Sequence, residues 1–302
     1  MSIAGEMTDV SDVRDFWLLL KPNVMSLVVF SAGAGLYLAP GAIHPVMAVV
    51  ATVCIAVAAG ASAAINNSYD ADIDRIMVRT RKRPTAAGRI SPADALAFGL
   101  TLTVFAIMVM GLAVNWVAAA LLALTVGFYV LVYTMWLKRR TPQNIVIGGA
   151  AGALPPMIGW AAVTGDVSLA SIALFAIIFF WTPPHFWALA LYRAKDYAEA
   201  GVPMLPVTAG AAVTRRHILA YTLVLLPVSW LPVFVGSSGW IYAMAATGLS
   251  VGFILHAFRL WCDGTQRSAT RTFRFSILYL FGLFGALMLD HMAASLTPAF
   301  AG

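Results

Sequence analysis

Charge is scarce in this 302-residue chain. Only 11% of its residues are Asp, Glu, Lys or Arg, while 61% are hydrophobic and the mean hydropathy is +0.85. Soluble domains carry about 25% charged residues, so a water-facing surface cannot be covered and a bilayer is the expected solvent. Cysteine is scarcer still. Cys54 and Cys262 lie in or beside apolar segments, which excludes a disulfide framework or a cysteine metal site and assigns both to packing. The N-terminal stretch holds Glu6, Asp9, Asp12 and Asp15 against Arg14 alone. A basic leader is absent, so the first apolar segment is expected to insert and stay. No internal repeat and no appended soluble domain is evident. The chain reads as one membrane-embedded domain, 1–302, with 1–15 as a cytoplasmic N-terminal segment.

Long apolar runs are what the chain has in abundance. Nine stretches, approximately 17–39, 45–64, 95–113, 116–136, 143–163, 168–191, 217–235, 239–260 and 273–294, can each cross about 30 Å of hydrocarbon as a helix. The basic residues orient them. With the N-terminus cytoplasmic, 18 of the 19 Lys and Arg residues fall in the N-terminal segment, 65–94, 137–142, 192–216 and 259–274. Lys21 lies within the first turns of helix 1 on the same side, and the opposite loops hold none. The expected fold is all-α, a polytopic membrane bundle of nine transmembrane helices. The pI of about 9.5 then reflects topology signals beside anionic membrane lipid, with no nucleic-acid partner.

The end of helix 2 reads NNSYDADIDRIMVRTRKRP. Asn66, Asp70 and Asp74 recur every four residues and form one polar face on a helix, with Asn67 at its border. Arg75, Arg79 and Arg83 follow as a basic row. Magnesium binds through one or two carboxylates plus substrate phosphates, and guanidinium forks grip phosphate oxygens. The pattern therefore points to Mg²⁺-assisted diphosphate binding. The bland alternative is a solvated, salt-bridged juxtamembrane loop. Polar groups at the end of an apolar run are costly and usually functional, which favours a site.

This stretch resembles the first aspartate-rich motif of the UbiA superfamily of intramembrane prenyltransferases, with Asn67 where that motif usually has Asp. Asn67 and the string of Met77, Arg79, Thr80, Arg83 and Pro84 resemble one branch, the haem farnesyltransferases.

A second constellation follows helix 6, FFWTPPHFWALALYRAKDYAEAGVPMLP. Helices 2 and 6 are both even-numbered, so both descend to the cytoplasmic side and their polar ends can share a cavity. His185 lies eight residues before Arg193, on the order of 12 Å into the membrane. Pro183 and Pro184 are expected to kink the helix there. Lys195 is a candidate phosphate contact and Asp196 a candidate ligand of a second Mg²⁺. The string PPHFWALA and the later KDYAEAGVPMLP resemble the haem branch. The single Asp196 departs from the superfamily's usual second acidic motif. Two further stretches are similar: YTMWLKRRTPQN, whose Lys138 matches a basic motif position, and LLLKPNVMSL, where Asn23 replaces a usual Arg. His44, His217, His256 and His291 show no ligand spacing and read as structural; Asp166 and Asp290 read as solvated interfacial acids.

The resemblance implies farnesyl diphosphate and protohaem IX as substrates. A farnesyl group and a water-derived hydroxyl would be added to a haem vinyl group, giving haem O and diphosphate. The diphosphate would be ionised on Asp70, Asp74 and Mg²⁺, with Asn66, Asn67, Arg79, Arg83, Lys138 and Lys195 around it. His185 would meet the haem iron, a propionate or a reacting water. A haem A synthase or terminal-oxidase assembly factor would receive the product, at the inner membrane of a bacterium. Two rival readings stand beside this one: a UbiA-type enzyme with a quinone or chlorin acceptor, and a transporter or haem carrier without chemistry.

Overall fold

A computed structural model describes residues 12–296, apart from the side chains of residues 23 and 24. Glu6, Asp9, the Asn23 side chain and the tail from residue 297 lie outside the described residues. Among the described residues the secondary structure is helical throughout. In chain order the helices are α1 Val13–Leu19, α2 Pro22–Leu38, α3 Pro45–Tyr69, α4 Ala71–Ile76, α5 Pro92–Ala113 and α6 Trp116–Gly127. The last continues as a π-helix over Phe128–Leu137. Then come α7 Asn144–Ala153, α8 Pro155–Thr164, α9 Leu169–Tyr192, α10 Ala194–Glu199, α11 Leu205–Thr208, α12 Gly210–Ser229, α13 Leu231–Phe234, α14 Trp240–Asp263 and α15 Gln266–Leu296.

Eight helical stretches among the described residues are long and apolar enough to cross a membrane, and a shorter one spans Met25–Leu38. The expected continuous helix over 17–39 is broken. Pro22 clashes with the carbonyl of the preceding turn and lacks an N–H, so the helix restarts there as α2. Lys21, just before it, takes a left-handed backbone with φ of 52°, a conformation a side chain seldom adopts. Conversely, α9 runs as one helix through Pro183 and Pro184.

The outer surface is apolar. Leu112, Phe105, Leu131, Phe234 and Leu289 are all exposed, as lipid-facing side chains should be. Trp116 and Trp240 are exposed at the starts of α6 and α14, after uncharged loops, while Trp17, Trp136 and Trp261 are exposed near the charged ones. Indole rings gather at both membrane–water interfaces in this way.

Inside, glycine allows close approach. A methyl group on Gly35 would sit 1.9 Å from the Pro156 carbonyl oxygen, and one on Gly159 would sit 2.0 Å from that of Ala32. The α2–α8 pair is thus packed backbone to backbone. At the other end of the bundle Ile73 and Met77 of α4 pack with Ile145, Ala190, Val202 and Met204. This cluster clasps the chain after α3 to the chain after α9, so both polar constellations lie at one end of the molecule.

One residue differs from its expected place. Asp290 is buried, not solvated: its carboxylate accepts the Gly239 N–H at 2.5 Å and the Tyr242 N–H at 3.2 Å. It caps α14, whose N-cap glycine has no side chain to do so. Asp15 is also buried, and the Arg89 Nε–H reaches both its oxygens at 3.0 Å, tying α1 over the loop after α4. Cys54 is buried in the core and Cys262 exposed, both as free thiols.

Candidate active site

The site begins where α3 ends. Asp70 is its C-cap, and its N–H still bonds to the Asn66 carbonyl at 2.9 Å. Asp70 then starts α4, its own carbonyl accepting the Asp74 N–H at 2.8 Å. The ladder of Asn66, Asp70 and Asp74 therefore crosses a helix junction while keeping its hydrogen bonds. Asn66, Asp70 and Asp74 are all buried.

Each carboxylate is met by a base. Asp70 Oδ2 accepts from Lys138 Nζ and, at 2.6 Å, from the Asn66 side-chain amide. Arg83 donates to Asp74 Oδ2 at 2.6 Å. Buried charges persist only when paired and hydrogen-bonded, and both pairs meet that condition. Asp70 Oδ1 has no hydrogen bond, with Arg139 3.7 Å away.

Lys138 reaches Asp70 because of the π-helix. Its N–H bonds five residues back, to Tyr133, at 2.9 Å. Wide turns of this kind recur at functional sites. Here they set Thr134 against Asn66, at 3.3 Å, and Lys138 against Asp70. Tyr129 and Tyr133 line the same region, with their rings 5.3 Å apart. Asp70 and Arg83 lie within electrostatic range of both hydroxyls.

Arg139 points outward from the same end. It forks onto Asp72 at 2.7 and 2.8 Å and sits 4.9 Å above the Tyr69 ring. The hydrogen bonds from Arg139 hold the Asp72 carboxyl below its ordinary range.

Other expected site residues take other places. Asn67, fully buried, donates to the Leu19 carbonyl at 3.3 Å, and its backbone carbonyl accepts from Thr85 at 3.0 Å. It fastens α1 and the loop before α5 to the site wall. Arg79 is exposed and makes no ion pair among the described residues, but its charge acts on Tyr133 and Tyr192. Lys195 is exposed and faces Glu199 at 3.8 Å. Asp196 lies 3.9 Å from Arg193 with Oδ2 unbonded. No three acidic, histidine or cysteine side chains among the described residues gather as a metal cage, so Asp196 does not join Asp70 and Asp74. His185 is buried between α9 and α15, stacked on Trp181 and Phe273.

Lys21 was not expected here. Its ammonium donates to Asn66 Oδ1 at 3.2 Å, completing a row of bases around the carboxylates. His44 caps α3, His217 bonds a backbone carbonyl, His256 stacks on Phe275 and His291 meets Tyr37 edge-on, so all four have structural partners.

The model of the UbiA prenyltransferase family matches residues 27–292. The chain belongs to that family. It is 58% identical over 97% of its length to the protoheme IX farnesyltransferase of Parvibaculum lavamentivorans, covering 93% of that protein. It is 55% identical over 95% of its length to the enzyme of the same name from Brucella ovis, again covering 93%. Among solved structures, the UbiA homologue from Aeropyrum pernix superposes with a TM-score of 0.72 at 20% identity, over 89% of this chain and 98% of that one. A UbiA homologue from Archaeoglobus fulgidus bound to GPP and Mg²⁺ gives 0.65 at 18% identity, over 90% and 99%. The fold is therefore the UbiA fold, in a multi-pass membrane transferase.

The residues of this UbiA prenyltransferase suit a magnesium ion. Asp70 and Asp74 offer hard carboxylate oxygens, and buried Asp70 Oδ1 still lacks a hydrogen-bond partner. Two carboxylates, with phosphate oxygens from a substrate, make the usual Mg²⁺ shell.

Proposed function

We propose that this chain transfers a farnesyl group from farnesyl diphosphate to a vinyl group of protohaem IX. The products are haem O and diphosphate. The observation that carries the reading is the arrangement at the α3–α4 junction, where two buried carboxylates are each paired with a base from elsewhere in the chain. The acceptor rests on the relatives named protoheme IX farnesyltransferase and on the aromatic side chains packed around His185.

Asp70 and Asp74 would hold Mg²⁺, which when bound supplies charge neutralisation for the departing diphosphate. Lys138 and Arg83 already stand at these carboxylates and Lys21 at the neighbouring Asn66, within reach of phosphate oxygens bound there. Arg79 and Lys195 reach it from the rim. Asn66 orients Asp70, and Asn67 braces the wall behind it. Positive side chains fixed in a water-poor site stabilise the negative charge that grows as the C–O bond breaks. The surrounding apolar helices keep water from the allylic cation. The vinyl carbon forms a bond to farnesyl C1, and water adds to the resulting cation with loss of a proton. Asp196 would serve a second metal ion. The site faces the cytoplasm at a bacterial inner membrane, by the one-sided distribution of basic loops. A haem A synthase or oxidase assembly factor would take the product.

The test is turnover by purified protein in detergent with haem b, farnesyl diphosphate and Mg²⁺, with and without EDTA. A metal-dependent product with the mass of hydroxyethylfarnesyl haem is expected. Diphosphate release only with a quinone precursor would reassign the acceptor, and no chemistry with any acceptor would point to a carrier.

A further inference from the structure

His185 has three partners open to it on chemical grounds: a metal, a carboxylate or a water. The structure narrows the choice. The ring is held on both faces, with Trp181 at 4.3 Å and Phe273 at 4.7 Å between ring centroids, and Phe186 meets it edge-on at 5.1 Å. It cannot tilt freely.

Its Nδ1 lies 2.6 Å from Ser276 Oγ, and that same Oγ lies 2.6 Å from the Phe273 carbonyl oxygen. A carbonyl oxygen only accepts, so the single serine hydrogen goes to Phe273. The other short approach then needs a hydrogen from the ring, on Nδ1. Ser276 is itself fixed, since its carbonyl accepts the Trp181 indole N–H at 2.7 Å. The two contacts together select the Nδ1–H tautomer.

The far nitrogen, Nε2, is then a bare acceptor. It has no protein partner among the described residues. Among the described residues it is not one of the fully buried side-chain atoms left without a partner. His185 keeps 8% exposure, and Nε2 is the ring atom left for a ligand. A neutral imidazole that lacks a hydrogen on Nε2 cannot donate to a propionate. It can bind a metal, and metal-binding histidines are held in this way, with the second ring N–H donated to a fixed acceptor.

We propose that Ser276 is a positioning residue that holds His185 in this tautomer, so that Nε2 is an axial ligand for the iron of the haem acceptor. The inference rests on the proposed function, because it takes haem as the substrate. It places the macrocycle beside α9 and α15. Phe273 links His185 to Tyr192, ring centroids 6.0 Å apart, and the charges of Arg79 and Arg274 act on Tyr192. This run of rings therefore leads from His185 toward the basic rim of the diphosphate site.

The experiment is a titration of full-length protein in detergent with ferric protohaem and, in parallel, with iron-free protoporphyrin IX. The Soret band and EPR spectrum of the haem complex are recorded, with the iron–imidazole stretch of its ferrous form by resonance Raman. For His185→Gln we expect loss of the imidazole-ligated spectrum, its return on adding free imidazole, and unchanged binding of the iron-free macrocycle. Ser276→Ala keeps the ring but frees its proton; it should lower the iron–imidazole stretch and weaken ferric haem binding by ~10–100-fold, with Ser276→Thr restoring both. Haem spectra identical in wild type and His185→Gln overturn the proposal. So does an unshifted stretch in Ser276→Ala, which decides the matter if His185→Gln does not fold. If wild type turns over haem while its spectra ignore His185, only this inference fails; if wild type neither binds nor converts haem, the proposed function fails with it.

Discussion

Asp70 and Lys138 are 68 residues apart in the chain and share one buried ion pair. One comes from the last turn of α3, the other from just beyond the π-helix. Removing either partner strands the other charge in an apolar setting, which is costlier than the pair itself. Asp70→Asn and Lys138→Met are each expected to lower turnover by ~10²–10³-fold, the loss seen when one transition-state stabiliser is removed. The double variant should fall no further than the worse single one, because the two act as a unit. Initial rates with saturating farnesyl diphosphate and haem b would decide this. Effects that multiply would mean that the residues work independently.

The Asp72–Arg139 pair predicts a pH dependence. Arg139 holds the Asp72 carboxyl below its ordinary value of 3.8. A carboxylate with a depressed folded-state pKa adds stability that is fully present above its unfolded value. That stability is lost as pH falls through the folded value. The gap in thermal midpoint between wild type and Asp72→Asn should therefore be constant above about pH 5 and close only in stronger acid. The Asp72 side chain is 63% exposed and that of Arg139 34%, so the gap should be small and shrink with added salt. Melting curves across pH would show this, and a gap opening only above neutrality would contradict it.

The polar ladder was legible because its spacing of four residues survives the α3–α4 junction as hydrogen bonds. The clustering of both motifs at one end followed from counting membrane crossings. Lys21 was not legible, because a lysine beside an apolar run reads as a topology signal until the break before Pro22 turns it toward Asn66. Asp290 was misread for a related reason. An acid near a chain end suggests water, and nothing local shows that Gly239, 51 residues earlier, needs a cap. Ser276 left no trace at all: one serine in a long apolar helix has no pattern, and its meaning depends on the histidine 91 residues away.

Gly148 sets the position of Tyr133. A methyl group on Gly148 would lie 2.2 Å from Tyr133 Cδ2, too close for a ring anchored in a π-helix. Gly148→Ala should cost ~1–3 kcal/mol by overpacking and move Tyr133 away from the diphosphate site. We expect a raised KM for farnesyl diphosphate and a lower thermal midpoint. Adding Tyr133→Ala to the variant should recover the midpoint but not the KM. Recovery of both would mean that Tyr133 has no part in the site.

Asp290 gives the opposite kind of prediction, stability without catalysis. Its carboxylate satisfies the first N–H groups of α14, of which that of buried Tyr242 would be left without this partner. Losing an N-cap acceptor costs ~1–2 kcal/mol, and buried donors left unbonded keep that cost high. Asp290→Ala should therefore lower the thermal midpoint by several degrees. Asp290→Asn, which keeps an acceptor oxygen, should lose less than half as much. Because Asp290 lies near the far end of α15, on the order of 20 Å along the helix from Ser276, turnover of the folded fraction below its melting range should match wild type in both variants. If Asp290→Ala melts like wild type, the cap carries no stability; if it melts normally but loses turnover, Asp290 belongs to a second functional region at the far end of the bundle.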